Sequence, residues 1–248
     1  MVDSNTSGMR RWWERAVGLV YPRNCRLCAV PLDESEPGVV CSACLRQAKL
    51  IEPPFCQRCA LPFAGAITDA FTCGYCAKLE FRFDRAVSAC RAEGVVRDCI
   101  HRFKYNRELY FGRHLSDWMM VAARRWIDWT VVDALVPVPL HPRKQRHREF
   151  NQAEVLARAV SRELDKPVLR GQLRRVKDTE TQTHLGAAAR VANLRGAFAV
   201  RQAASVAGRR LVLVDDVFTT GATLDSCAKV LRHAGAVQVT ALTVARGV

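Results

Sequence analysis

No stretch of the 248-residue chain approaches the roughly 20 consecutive apolar residues that a membrane-crossing helix requires, which excludes a helical transmembrane protein. Residues 1–24 place acid before base and lack a sustained apolar core ending in a small-residue cleavage site, so no secretory leader is predicted and a cytosolic chain is expected. Acid is scarce throughout: 24 Asp+Glu face 38 Lys+Arg, a net charge of +14. An apolar share of 49% is too high for a disordered chain, and the length suits one large domain or two smaller ones.

A disulfide framework is also disfavoured, because the cysteines number eleven, an odd count, and cytosolic thiols stay reduced. Eight of them form four Cys-x-x-Cys pairs: Cys25/Cys28, Cys41/Cys44, Cys56/Cys59 and Cys73/Cys76. Cys90, Cys99 and Cys227 stand alone. Every pair falls in residues 1–80, where 9 Lys+Arg nearly balance 8 Asp+Glu. Residues 81–248 hold 29 against 16, a net +13. Chemistry therefore places a domain boundary near residue 80, between a segment 1–80 and a segment 81–248.

A Cys-x-x-Cys turn aims two thiolates at one ion, and two turns complete a tetrahedral S4 site. The spacings C-x2-C-x12-C-x2-C and C-x2-C-x13-C-x2-C describe two similar modules and predict two structural Zn²⁺ ions. Sequential and interleaved pairings of the turns both satisfy the spacing, and one occupied site beside a degenerate one is a further alternative. A redox dithiol uses the same motif, but four successive pairs without a βαβ pattern argue against it. Closed S4 sites leave no position for water, so no catalysis is expected at the metal. A nearly neutral ribbon has few phosphate contacts to offer, which favours packing or partner contact over DNA binding. Ahead of it, Met9–Val20 reads as a short basic amphipathic helix, as a lid on its own domain or at a membrane surface.

From Phe81 the periodicity changes. Strands are predicted over Arg85–Ala92, Val131–Leu140, Phe198–Val200, Leu211–Val214 and Val237–Val244. Helices are predicted over Val95–Tyr105, Tyr110–Trp129, Gln152–Leu164, Ala187–Leu194 and Ala222–Ala234. This alternation specifies an α/β fold with a mainly parallel sheet covered on both faces, and ligands at the carboxyl ends of its strands.

One such end carries the sharpest motif: the apolar strand Leu211–Val214, the acidic pair Asp215-Asp216, then Val217-Phe218-Thr219-Thr220-Gly221-Ala222-Thr223 leading into a helix. A turn at a helix N-terminus offers free N–H groups and the positive end of the helix dipole to a phosphate. Gly221 allows close backbone approach and three threonines add hydroxyl donors. Two carboxylates just before the turn accept hydrogen bonds from adjacent sugar hydroxyls, directly or through a metal. No Lys follows Gly221, so this is not a Walker A loop. The run closely resembles the phosphoribosyl pyrophosphate (PRPP) motif of type I phosphoribosyltransferases.

Two further stretches narrow the resemblance. Val136–Gln152 places Arg143, Lys144, Arg146 and Arg148 on a loop after a central strand, suited to a polyanion such as pyrophosphate or, more blandly, to solvent. Leu173–Leu185, continuing through Arg190 and Asn193 to Gly196-Ala197-Phe198, reads as a mobile basic loop returning to a helix. With four preceding Cys-x-x-Cys pairs and Phe103-Lys104-Tyr105, these stretches look like the ComF family, which joins a double zinc ribbon to a phosphoribosyltransferase domain. The family usually has Arg-Gly-Phe-Asn-Gln where this chain has Arg148-Glu149-Phe150-Asn151-Gln152, and often has proline where Glu180 stands here.

The resemblance implies that Asp215 and Asp216 hold the ribose hydroxyls and that Thr219, Thr220, Gly221, Ala222 and Thr223 hold the 5-phosphate. Leu140, His141, Arg143, Arg146 and Arg148 would face pyrophosphate with Mg²⁺, while Lys104, Arg174, Arg175 and Lys177 would supply further anion contacts. No purine or pyrimidine pocket is legible near Gly235 or Phe83–Arg91. Two functions follow: transfer of phosphoribosyl to an unidentified acceptor, or non-catalytic PRPP binding in DNA uptake beside other competence or DNA-processing proteins. The intact acidic pair favours the first and the missing base pocket the second. Single-stranded DNA, if bound, is expected on residues 81–248 through Arg143, Lys144, Arg146 and Arg148, weakly, with steep salt dependence and in competition with PRPP.

Overall fold

Buried residues run through Arg85–Arg91 (β1), Ala134–Pro137 (β2), Arg210–Phe218 (β5) and Gln238–Arg246 (β6). In the computed structural model these four strands form one sheet in the order β1-β6-β5-β2, every neighbouring pair parallel. The structure describes residues 23–177 and 194–247, apart from positions 34, 37, 66, 68 and 69. The helix predicted at Met9–Val20, the one predicted at Ala187–Leu194 except Leu194 itself, and most of the basic loop before the latter lie outside the described residues.

Packing divides the chain into two units, Met1–Ala48 and Lys49–Val248. The first holds Cys25, Cys28, Cys41 and Cys44 and a four-residue helix, Ser42–Leu45 (α1). The second holds the other four cysteines of the pairs, the helix Gly74–Lys78 (α2) and the sheet. The packing division thus lies upstream of the change in net charge, and backbone bonding shows why. Leu50 bridges antiparallel to Cys90 of β1, Ile51 N–H donates to Ala89 O (2.8 Å), and Ala86 N–H donates to Arg58 O (2.8 Å). The chain around the second ribbon completes the sheet edge that β1 would otherwise expose.

Helices cover both sheet faces. Gly94–Tyr105 (α3) packs on Phe111–Trp126 (α4), which lies on β1 and β6, while Gln152–Leu164 (α6) lies on β5 and β2 and against α4. Ala222–His233 (α7) contacts β5, β6 and the strand Phe198–Val200 (β4). Period-two alternation assigns Ala134, Val136, Leu211, Leu213, Val239 and Ala241 to the α7 face, where they share one buried cluster with Leu224, Cys227, Ala228 and Leu231. Leu173–Arg175 (β3) and Phe198–Val200 (β4) form a separate antiparallel pair.

Two sequence expectations are corrected here. The segment after β2 is not a loop: Pro142–Arg148 is a helix (α5), with His141 as N-cap and Pro142 in its first turn. It has no apolar residue, so hydrophobic periodicity is blind to it, although Pro at the first position is a start signal. The strand expected at Leu211–Val214 runs on to Phe218 and contains the acidic pair, because β6 continues beside it, pairing Asp215 with Thr243 and Phe218 with Arg246.

Candidate functional site

The carboxyl end of β5 brings the acidic pair to the loop that opens α7. Asp216 is buried, and its Oδ2 lies 2.7 Å from Lys104 Nζ, delivered by the last turn of α3. Asp216 N–H donates to Asp215 Oδ1 (2.9 Å). Burial pushes the Asp215 carboxyl up to about 7; the charge of Asp216 adds to the shift, and Lys104, the Asp216 N–H and Arg175 oppose it. A carboxyl group shifted in this way by burial and a neighbouring charge marks a candidate functional site.

Beyond Phe218 the backbone turns through Thr219 and Thr220 into Gly221, the N-cap of α7 at φ 81°. A Cβ there would lie 2.7 Å from Phe218 Cζ and 2.9 Å from Phe81 Cε1, so glycine is required by sterics as well as by φ. The side chain that Gly221 lacks would meet aromatic rings, a steric requirement in addition to the close backbone approach expected of the glycine. Ala222 N–H donates to Thr220 Oγ1 (3.4 Å), while Thr219 is exposed and Thr223 is half-buried. The N-terminus of this 12-residue helix presents N–H groups and the positive end of its dipole, an arrangement that can receive an anion.

The basic helix α5 is docked beside the same end of α3. The Arg148 guanidinium lies 4.9 Å from the Tyr105 ring centroid, and the Phe103 and Phe150 rings are 5.2 Å apart. Lys104 thus meets the acidic pair while its neighbours hold α5. Arg143 and Arg146 are exposed, and Leu140 and His141 are half-buried at the helix entrance. Glu149 ends α5 in the left-handed region at φ 69°, where the resembled family has glycine, and pairs with Arg107 at 2.9 Å. Asn151 caps α6 and donates to Val138 O (3.0 Å), tying the end of β2 to the next helix. On the antiparallel pair, the Arg175 guanidinium lies over Phe198 at 5.6 Å. Arg174 Nε donates to Gly171 O (3.4 Å) and Lys177 Nζ to Arg195 O (2.9 Å).

The four cysteine pairs assemble sequentially, which settles the pairing that spacing leaves open. Cys25, Cys28, Cys41 and Cys44 form one cluster and Cys56, Cys59, Cys73 and Cys76 the other, with sulfurs of each within 4.8 Å of one another. A tetrahedral S4 site with Zn–S near 2.3 Å sets sulfurs about 3.8 Å apart. Cys25–Cys44 at 3.9 Å, Cys28–Cys41 at 3.7 Å and Cys59–Cys73 at 3.7 Å match that edge and are far too long for disulfides. Ala29 at φ 60° and Ala60 at φ 56° occupy equivalent places after each first pair. Cys41 N–H donates to Cys25 Sγ and Cys73 N–H to Cys56 Sγ, both at 3.3 Å. The two sites therefore fit two structural zinc ions.

Two residues that the sequence does not single out reach the Thr219–Gly221 loop. Tyr75 of α2 donates its hydroxyl to Thr220 O (3.2 Å), and buried Arg246 at the end of β6 donates from Nη1 to Thr219 O (2.7 Å). The available signal for Arg246 is a lone cation closing an apolar strand, which a buried partner must explain.

Comparison with known proteins agrees with this architecture. Residues 16–80 match the double zinc ribbon domain and residues 151–247 the phosphoribosyl transferase domain. The chain is 34% identical over 226 residues to competence protein F of Haemophilus influenzae, covering 90% of this chain and 96% of that protein. It is 33% identical over 224 residues to DNA utilization protein YhgH of Escherichia coli K12, covering 89% and 96%. Competence protein ComFC of Bacillus subtilis is 26% identical over 215 residues, 84% of each chain. A double zinc ribbon joined to a phosphoribosyltransferase domain, and likeness to competence protein F along nearly its whole length, establish that this chain belongs to the ComF family.

Proposed function

We propose that the site binds Mg²⁺-PRPP and transfers its phosphoribosyl group to a nitrogenous acceptor, with release of pyrophosphate. The observation that carries this reading is the acidic pair on β5, neutralised from α3 by Lys104, immediately before the α7 N-terminus. Asp215 and Asp216 accept the ribose hydroxyls, the N–H groups and hydroxyls of Thr219–Thr223 hold the 5-phosphate, and α5 with Arg143, Arg146 and Arg148 faces pyrophosphate. Mg²⁺, arriving with the diphosphate, would supply charge neutralisation, with Asp215 and Asp216 as the carboxylates available to hold it. The chain's own work is positioning: cations of α5 and of the β3–β4 pair balance the departing pyrophosphate.

A second reading, PRPP binding without transfer in the handling of single-stranded DNA, is supported by the +13 charge of residues 81–248 and by relatives named for competence and DNA utilization. Both readings place the protein in the cytoplasm; among the described residues no helix is long and apolar enough to cross a membrane. The deciding experiment measures pyrophosphate release from Mg²⁺-PRPP with purine and pyrimidine bases or single-stranded DNA as acceptor. Acceptor-dependent release supports transfer. Saturable binding without release supports the second reading.

A further inference from the structure

The second tetracysteine site and the loop at the start of α7 share two ties. Arg246 is buried between them. Its Nε donates to Cys59 O (3.0 Å) and its Nη2 lies 3.8 Å from Cys59 Sγ, one of the metal-site sulfurs. From the other side Nη1 reaches Thr219 O (2.7 Å), Phe218 O (3.3 Å) and Gly247 O. The guanidinium stands 4.5 Å from the Phe218 ring centroid, so its planar face is occupied as well. Tyr75, next to Cys76, supplies the second tie through its hydroxyl to Thr220 O.

These contacts fall on carbonyls of a loop whose N–H groups are its chemistry. A peptide plane held at its oxygen has its N–H direction fixed as well. Holding the carbonyls of Thr219 and Thr220 therefore orients the donors of Thr220 and Gly221 at the α7 N-terminus. A guanidinium fixes five donors in one plane, so a shift of the Cys59 turn moves the loop carbonyl with it. The four cysteines also share a buried cluster with Phe218 and Ala222 on either side of that loop.

We propose that Arg246 and Tyr75 are positioning residues through which the second zinc site sets the geometry of the phosphate loop. The ribbon is then part of the phosphate site, and metal loss at Cys56, Cys59, Cys73 and Cys76 lowers affinity for a phosphorylated ligand. The effect on PRPP rests on the function proposed above; the positioning of the loop does not.

The test uses full-length protein and two variants, Tyr75→Phe and Arg246→Lys, each first shown to hold two zinc ions. Amide hydrogen exchange over residues 219–223 without ligand is measured alongside calorimetric titration with Mg²⁺-PRPP. Tyr75→Phe removes a single hydroxyl and keeps the ring, so the fold survives it. Exchange faster by ~3-fold or more in both variants, with PRPP affinity lowered ~3-fold or more, supports the proposal. Unchanged exchange overturns it, and faster exchange with unchanged affinity overturns the link to phosphate binding. If wild-type protein fails to bind PRPP, the functional reading fails, while the exchange result still decides the positioning.

Discussion

Lys104 Nζ lies 2.7 Å from Asp216 Oδ2, with both side chains largely withdrawn from solvent. One residue of α3 thus neutralises half of an acidic pair on β5, and the next residue, Tyr105, underlies Arg148 of the basic helix α5. The end of α3 is where the proposed anion-binding and diol-binding parts of the candidate site meet. Removing the cation leaves two adjacent carboxylates with less compensation. Lys104→Met should raise the apparent pKa of Asp215 further, because a charge that lowers it is lost. NMR titration of the Asp215 carboxyl in wild type and variant reads this directly, and an unchanged value would contradict the pairing.

The pH dependence follows from the same group. The Asp215 carboxyl moves from its ordinary value of 3.8 to about 7 on folding. Between those values the folded state holds a proton that the unfolded state has released, so this group's contribution to stability falls as pH rises through the window. Asp215→Asn should therefore raise the melting temperature at pH 8 by ~2 °C or more, with the gain shrinking toward pH 4. Ligand binding has the opposite sense. Mg²⁺-PRPP should bind wild type more tightly at pH 8 than at pH 6 relative to Asp215→Asn, a comparison in which ionisation of the ligand cancels.

The two zinc sites should differ in what their loss does. Cys25→Ser should reduce bound zinc from two to one and leave the main unfolding transition within ~2 °C of wild type, since that site belongs to Met1–Ala48. Cys56→Ser should abolish or strongly lower the main transition, because Cys56 shares the buried cluster with Phe83, Leu211 and Leu213. Elemental analysis with calorimetry measures both. Equal effects of the two substitutions would contradict the division.

Backbone conformation gives a paired prediction. Gly221→Ala should destabilise by ~1–3 kcal/mol, through positive φ and the approach of the new Cβ to Phe218 and Phe81. Glu149→Gly works the other way at φ 69°: relief of left-handed strain outweighs the loss of an exposed ion pair, for a gain of up to ~1 kcal/mol. Urea unfolding of both variants checks the signs.

DNA binding, if it uses α5, should be read by the same cations as pyrophosphate. Arg143→Glu with Lys144→Glu should weaken binding of full-length protein to fluorescent single-stranded DNA and flatten its salt dependence, and Mg²⁺-PRPP should displace DNA from wild type. Binding that ignores both changes would place the DNA surface elsewhere.

Local signals carried much of this in the sequence. The apolar strand before Asp215 and the glycine at the head of α7 mark the proposed phosphate loop, and Cys-x-x-Cys spacing marks both tetracysteine sites. Helix α5 escaped because a helix without apolar residues has no hydrophobic period, even though Pro142 marks its start. The extent of β5 past Val214 depended on β6 pairing beside it, which only the sheet reveals. Arg246 and Tyr75 act on residues 27 and 145 positions away, and contacts at such separations leave no local pattern. The attachment of the second ribbon to β1 is equally long-range in character, and the change of charge near residue 80 follows composition rather than packing.

The central claim is that the acidic pair and the loop after it bind PRPP. Isothermal titration of Mg²⁺-PRPP into wild type and into Asp215→Asn/Asp216→Asn, at pH 8 with two zinc ions confirmed in each, tests it most directly. Saturable binding to wild type, weakened at least about tenfold in the double variant, is the expected result, a loss of roughly 1.4 kcal/mol or more from charge-assisted contacts. Equal affinity in the two proteins, or no binding to wild type, would contradict it.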